Sequence, residues 1–220
     1  MSERGQVLTE EQLDFLTELM NVGIGNAAAA LEQLLKCQVE VKVPRIKAFL
    51  ISELESVFND PSLPVACVRM GMVGDVSGDL FFITPDEERD GLVHLAENAT
   101  PWPGKIRHEL AKAKDWESSI LTEIANITAG TYLASICEFS RLKLYHTVPF
   151  LTVDMIQAIL DETLAERAQE DTVVIMIQND FILSRKHLIA FFLLLIPTGT
   201  SMQVLADSLE TAKKTYGYKE

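Results

Sequence analysis

The chain has 220 residues, of which 48% are apolar and 23% charged. This is ordinary globular composition, long enough to bury a core without disulfide or metal staples. Nineteen Lys and Arg stand against 32 Asp and Glu, a net charge of -13. That balance argues against binding a nucleic-acid backbone and against docking on an anionic membrane.

In chain order, the first predicted element is a long amphipathic helix from Thr9 to Lys36. Thr9 and Gln12 fit a capping box. Leu13, Leu16, Met20, Ile24, Ala27, Leu31 and Leu34 recur in steps of three and four. Val39, Val41 and Val43 alternate into a short strand that stops at Pro44. Val65 to Met72 and Val76 to Ile83 read as a β-hairpin turning at Gly74-Asp75, and Pro85 opens an acidic helix. The Pro-rich stretch NATPWPG and the basic run after it read as a linker, residues 98–114, holding a short helix.

A second long helix is expected from Asp115 to Ser140. Leu142 and Leu144 then lead to Pro149, a helix covers Met155 to Ala165, and Val173 to Ile182 and Leu188 to Ile196 form two buried strands. Pro197 closes the second strand, Met202 to Leu209 forms a last helix, and the tail TAKKTYGYKE frays. No apolar leader is read at the N-terminus, and the nine residues Leu188 to Ile196 are too few to span a bilayer. Cys37, Cys67 and Cys137 are scattered and read as reduced packing residues of a cytoplasmic protein. His94, His108, His146 and His187 have no metal-ligand spacing, so no metal site is expected.

The order of elements repeats. Glu18, Asn21, Gly25 and Pro44 recur 105 residues later as Glu123, Asn126, Gly130 and Pro149. LFFITP (residues 80–85) returns as FLLLIP (192–197), and the extra spacing fits an insertion around Leu164 to Glu170. One domain over residues 1–220 is therefore expected, built from halves at about 8–97 and 115–209. The fold class is α+β: two long helices packed on a mixed or antiparallel sheet, with a pseudo-two-fold axis.

Each long helix carries a polar residue, a Glu four positions on, an Asn three further, and a Pro 23 after that. The sets are Asp14, Glu18, Asn21, Pro44 and Ser119, Glu123, Asn126, Pro149. At about 100° per residue the Glu and Asn share one helix face, opposite the apolar stripe. An isolated Glu/Asn pair reads as solvated surface, whereas two pairs in register with two prolines ask for a reason. The two helices also carry eight of the net negative charges.

LTEEQLDFLTELMNVGIGNAAAALEQLL and DWESSILTEIANITAGTYLASICEF resemble the two signature helices of the CheC family, which belongs with CheX and FliY among phosphatases of the chemotaxis response regulator CheY. Met20 and Ala125 stand where the family usually has a glycine before the Asn. The resemblance implies hydrolysis of an aspartyl phosphate on the regulator. It implies that Asn21 and Asn126 orient the water, and that Glu18 and Glu123 pair with the regulator's active-site lysine. It also implies that Mg²⁺ belongs to the regulator, with no cofactor of this chain's own. A second implied partner is the receptor deamidase CheD, bound after the second proline. Asp154 stands at the position used for that contact, and it equally suits a helix N-cap ahead of Met155. The alternatives are a non-catalytic adaptor for CheD and a component of the flagellar switch.

Overall fold

The computed structural model describes residues 8–58, 60–99, 114–167, 172–183 and 187–217. The first half runs α1 (Glu10–Leu35), β1 (Val39–Val41), β2 (Arg45–Leu50), a 3-10 turn with the short α2 (Leu54–Val57), β3 (Pro64–Gly74), β4 (Gly78–Pro85) and α3 (Asp86–Ala99). The second half follows the same order. It runs α4 (Lys114–Ser140), β5 (Leu144–His146), β6 (Phe150–Met155), α5 (Ile156–Arg167), β7 (Val173–Leu183), β8 (His187–Pro197) and α6 (Ser201–Tyr216). The expected linker helix lies outside the described residues.

Every strand pairing among the described residues is antiparallel. Along the sheet the order is β1-β7-β8-β4-β3-β5, with β2 also on β7 and β6 also on β3. The edge strands are thus exchanged: β1 and β2 of the first half flank the second half's hairpin, and β5 and β6 flank the first half's. The registers obey one pseudo-two-fold. Val39 faces Leu183 as Leu144 faces Gly74, and Arg45 faces Gln178 as Phe150 faces Arg69. The axis passes between the pairs Phe81–Leu194 and Phe82–Leu193.

β4 and β8, and the Val173–Ile177 stretch of β7, read as apolar runs because both faces of the sheet are covered there. Ala66, Val68, Leu80, Phe82, Ile175, Ile177, Leu193 and Leu195 pack under α1, α3, α4 and α6. Their neighbours Val65, Cys67, Phe81, Ile83, Val174, Met176 and Leu194 face α2 and α5. The sheet's period of two deals alternate residues to the two cores.

Three expectations are corrected. β2 and β6 are strands in addition to those expected; they lie at sheet edges, where β6 is exposed at five of its six residues and β2 fully buries only Phe49, and their alternation runs for only four or five residues. The last helix does not end at Leu209 but runs to Tyr216, because Ala212 is buried, Lys213 pairs with Glu11 of α1, and Tyr216 meets the Phe139 ring edge-on at 5.3 Å. Met155 closes β6 instead of opening a helix.

The second long helix is apolar enough over Glu117–Ser140 to cross a membrane by length and composition alone, with mean hydropathy 1.2. Here its apolar face is core: Ile124, Ala125, Ala129, Tyr132 and Ile136 are all buried against α1 and the sheet. Burial also pushes the Cys67 thiol up to about 12, so almost none of it is thiolate at neutral pH. We expect Cys67 to resist alkylation at pH 8 in the native protein and to react once it is unfolded in urea. Rapid native labelling at Cys67, mapped by mass spectrometry, would contradict this packing.

Candidate functional site

Local chemistry fixes both ends of α1 and the C-terminal end of α4. Thr9 and Gln12 form the expected capping box, and the Gln12 amide goes on to donate to the Ala206 carbonyl of α6 at 3.1 Å. Both helices stop at a residue of positive φ, Lys36 (50°) and Arg141 (60°), at equivalent positions of the two halves. Between these ends, α1 and α4 cross at Gly23. A Cβ there would stand 2.7 Å from the Tyr132 ring and 3.2 Å from the Tyr132 Cα, so only glycine fits. The close approach is therefore at Gly23, whereas Met20 and Ala125, in the family's usual glycine position, are fully buried.

Tyr132 fixes the crossing from the other side. It is wholly buried, and its hydroxyl donates to the Asn179 side-chain oxygen on β7, while the Asn179 amide donates to the Ile177 carbonyl at 3.1 Å. Burial raises the phenol far above its usual range, so it stays neutral. Nothing in the sequence reading marked this pair; neither residue has a counterpart in the other half.

On the opposite face of α1, Asp14 and Glu18 are exposed and Asn21 is half-buried. On α4, Ser119 and Glu123 are exposed and Asn126 is half-buried. Among the described residues none hydrogen-bonds to the side chains of Glu18, Asn21, Glu123 or Asn126. The folded chain thus presents two equivalent carboxylate–amide pairs, one per half, available to a partner. Pro44 is buried and Pro149 half-buried, each between the two edge strands of its half. Pro cannot donate to a ladder, so each marks the break from β1 to β2 and from β5 to β6.

Asp154 lies elsewhere, on β6, opposite Val65. It is exposed, and its carboxylate accepts the Met155 N–H at 2.7 Å. It is not the cap of α5, whose first N–H groups, of Ile156 and Gln157, donate to the carbonyls of Leu63 and Pro61. Around it the exposed side chains of Phe150, Val153 and Met155 make an apolar edge.

Fold and motif define a class: a pseudo-symmetric α+β domain that offers one Glu/Asn face in each half. The sequence profile of the CheC-like family matches it twice, over residues 11–47 and 117–153, and each match spans one complete Glu, Asn, Pro set. The chain is 35% identical over 163 residues to the CheY-P phosphatase CheC of Bacillus subtilis, covering 74% of this chain and 76% of that one. Its fold is similar to FliY of Thermotoga maritima (TM-score 0.69, 15% identity, 98% of this chain and 100% of that one). It is also similar to the FliM middle domain of H. pylori (TM-score 0.60, 9% identity, 91% and 99%). The chain belongs to the CheC-like family.

Proposed function

We propose that this chain dephosphorylates the aspartyl phosphate of a CheY-type response regulator, using one site on α1 and one on α4. The observation that carries the reading is the pair of unengaged Glu/Asn faces at equivalent positions, in a chain 35% identical to a protein named as a CheY-P phosphatase.

Phosphoryl transfer asks mainly for positioning and charge stabilisation. A water must attack in line with the leaving aspartyl oxygen. The Asn21 or Asn126 amide offers both a donor and an acceptor and can hold that water. A carboxylate beside a phosphoryl dianion is repelled, so Glu18 and Glu123 serve better as partners for a lysine of the regulator. That pairing places the Asn over the phosphate. Asp14 and Ser119, one turn earlier, support the same face. Regulators of this type hold Mg²⁺ with their own carboxylates, and we assign the metal to them. The acidic helices disfavour a free phosphate compound and suit a phosphate delivered on a protein that brings its own cations. We place the reaction in the cytoplasm, with the regulator. The direct test is to phosphorylate the regulator with a small phosphodonor, remove the donor, and follow loss of phosphoprotein with and without this chain. No acceleration would sink the reading.

A second activity is favoured by the apolar β6 edge around Asp154: binding of the receptor deamidase CheD. We expect Asp154→Lys to weaken that binding at least about 10-fold, read by titration calorimetry, with the regulator reaction unchanged. Undiminished binding by this variant would remove Asp154 from the contact. The likeness to FliY and FliM structures is one of fold, and does not by itself favour a switch component.

A further inference from the structure

The two most exposed large apolar side chains among the described residues are Val148, 87% exposed, and Val43, 71% exposed. They are repeat equivalents, each immediately before the proline of its motif. A β-branched residue suits the extended backbone required before proline, but threonine would serve that need equally well. The apolar character of both positions has no partner inside the fold.

Neither loop is slack. In the second half the Thr147 N–H donates to the Gly71 carbonyl at 2.8 Å, and the Gly71 N–H donates to the Thr147 hydroxyl at 2.8 Å. In the first half the equivalent Lys42 N–H donates to the Asp180 carbonyl at 3.1 Å, and the Asp180 carboxylate pairs with Lys42 at 3.4 Å and Arg45 at 3.7 Å. Different chemistry thus pins the same loop in each half and holds a valine out into solvent.

In the second half the loop borders the Glu/Asn face, and the repeat puts the first loop at the equivalent position. His146, two residues before Val148, has its Nε2 3.5 Å from where a Cβ on Gly130 would stand. Gly130 lies one turn beyond Asn126, on the same helix face. At the equivalent Gly25 nothing lies within 4 Å of that point, so the fold itself does not require glycine there. Each half therefore combines a polar pair with a rigid apolar knob, and the first half adds a stretch of bare helix at Gly25. That combination fits a protein surface and gives a small phosphate compound nothing to bind.

We propose that Val43 and Val148 are the docking residues that make each site specific for the phosphorylated regulator, seating in an apolar recess beside its phosphoaspartate, with Gly25 leaving room for its backbone in the first half. This rests on the phosphatase reading above. It is tested with the full chain carrying Val43→Glu and Val148→Glu together, and separately Val43→Thr with Val148→Thr, which keeps the backbone preference. The glutamate pair is expected to raise KM for phospho-regulator about 10-fold or more with kcat at saturation unchanged, and the threonine pair to raise it less. Binding of beryllofluoride-activated regulator, measured without turnover, is expected to weaken in parallel. That arm stays informative if the wild-type chain proves not to be a phosphatase. Wild-type KM and binding in the glutamate pair would overturn the proposal, as would a change confined to self-association or to deamidase binding.

Discussion

Replacing both Asn21 and Asn126 by alanine is expected to lower the rate of regulator dephosphorylation about 100-fold or more, the size of loss seen when a preorganised positioning group is removed. The fold should be unaffected, because neither side chain hydrogen-bonds within the described residues and both are only half-buried. The single variants separate the halves. If the two sites are independent and equal, each single variant keeps about half of the wild-type rate at saturation. A large loss in one and a small loss in the other would assign the activity to one half. The double variant should still bind activated regulator, since the Glu and Val positions remain. A double variant with wild-type rate and wild-type circular dichroism would refute the water-orienting role.

The largest stability effect is expected at Tyr132. Tyr132→Ala should destabilise the fold by about 3–5 kcal/mol, the range for truncating a buried aromatic ring. The hole opens at the α1–α4 crossing, and the Asn179 side-chain oxygen on β7 loses its donor. Tyr132→Phe isolates the second term. It keeps the ring and leaves the buried Asn179 acceptor unsatisfied, for an expected cost of about 1–3 kcal/mol. Urea denaturation of the three proteins gives both numbers from midpoint shifts at constant slope. A loss below about 1 kcal/mol for the alanine variant would mean that the ring does not hold the crossing. Out of a total stability of about 5–15 kcal/mol, the expected loss is enough to disturb both motif helices together.

Much of this was legible in the sequence because duplication printed the pattern twice. The long helices, their Glu/Asn faces, the β3–β4 hairpin and the two buried strands β7 and β8 followed from periodicity, caps and turn residues. Other features were not, and each for a physical reason. β2 and β6 have one neighbour and an open edge, and the alternation in RIKA and LTVDM is only four or five residues long, too short to mark a strand beside the proline that precedes each. The pattern along a strand tells which face is buried but not which strand lies alongside, so the pairing of β1 and β2 with β7 could not be read. The glycine demanded by helix crossing is Gly23, and only the distance to Tyr132 singles it out from Gly25 two residues on. Asp154 suited a helix cap by type, but Leu63 and Pro61 supply the acceptors a cap would have given.

The exchange of edge strands also orders events during synthesis. β1 and β2 leave the ribosome early, yet the strand they pair with, β7 (Val173–Leu183), is made some 130 residues later. At about 5–20 residues per second, that delay is on the order of ten seconds. Until their partners are made, three stretches of the first half stay unpaired: β1–β2 itself, the outer edge of β3, which waits for β5 and β6, and the outer edge of β4, which waits for β8. Lys42, Arg45 and Lys47 on the early ribbon are the kind of charges that discourage edge-to-edge pairing with a neighbouring nascent chain. The late ribbon, with Thr147, Phe150 and Thr152 in place of those three charges, emerges when its own β3 is already waiting. The half that must wait is the half that carries the guard.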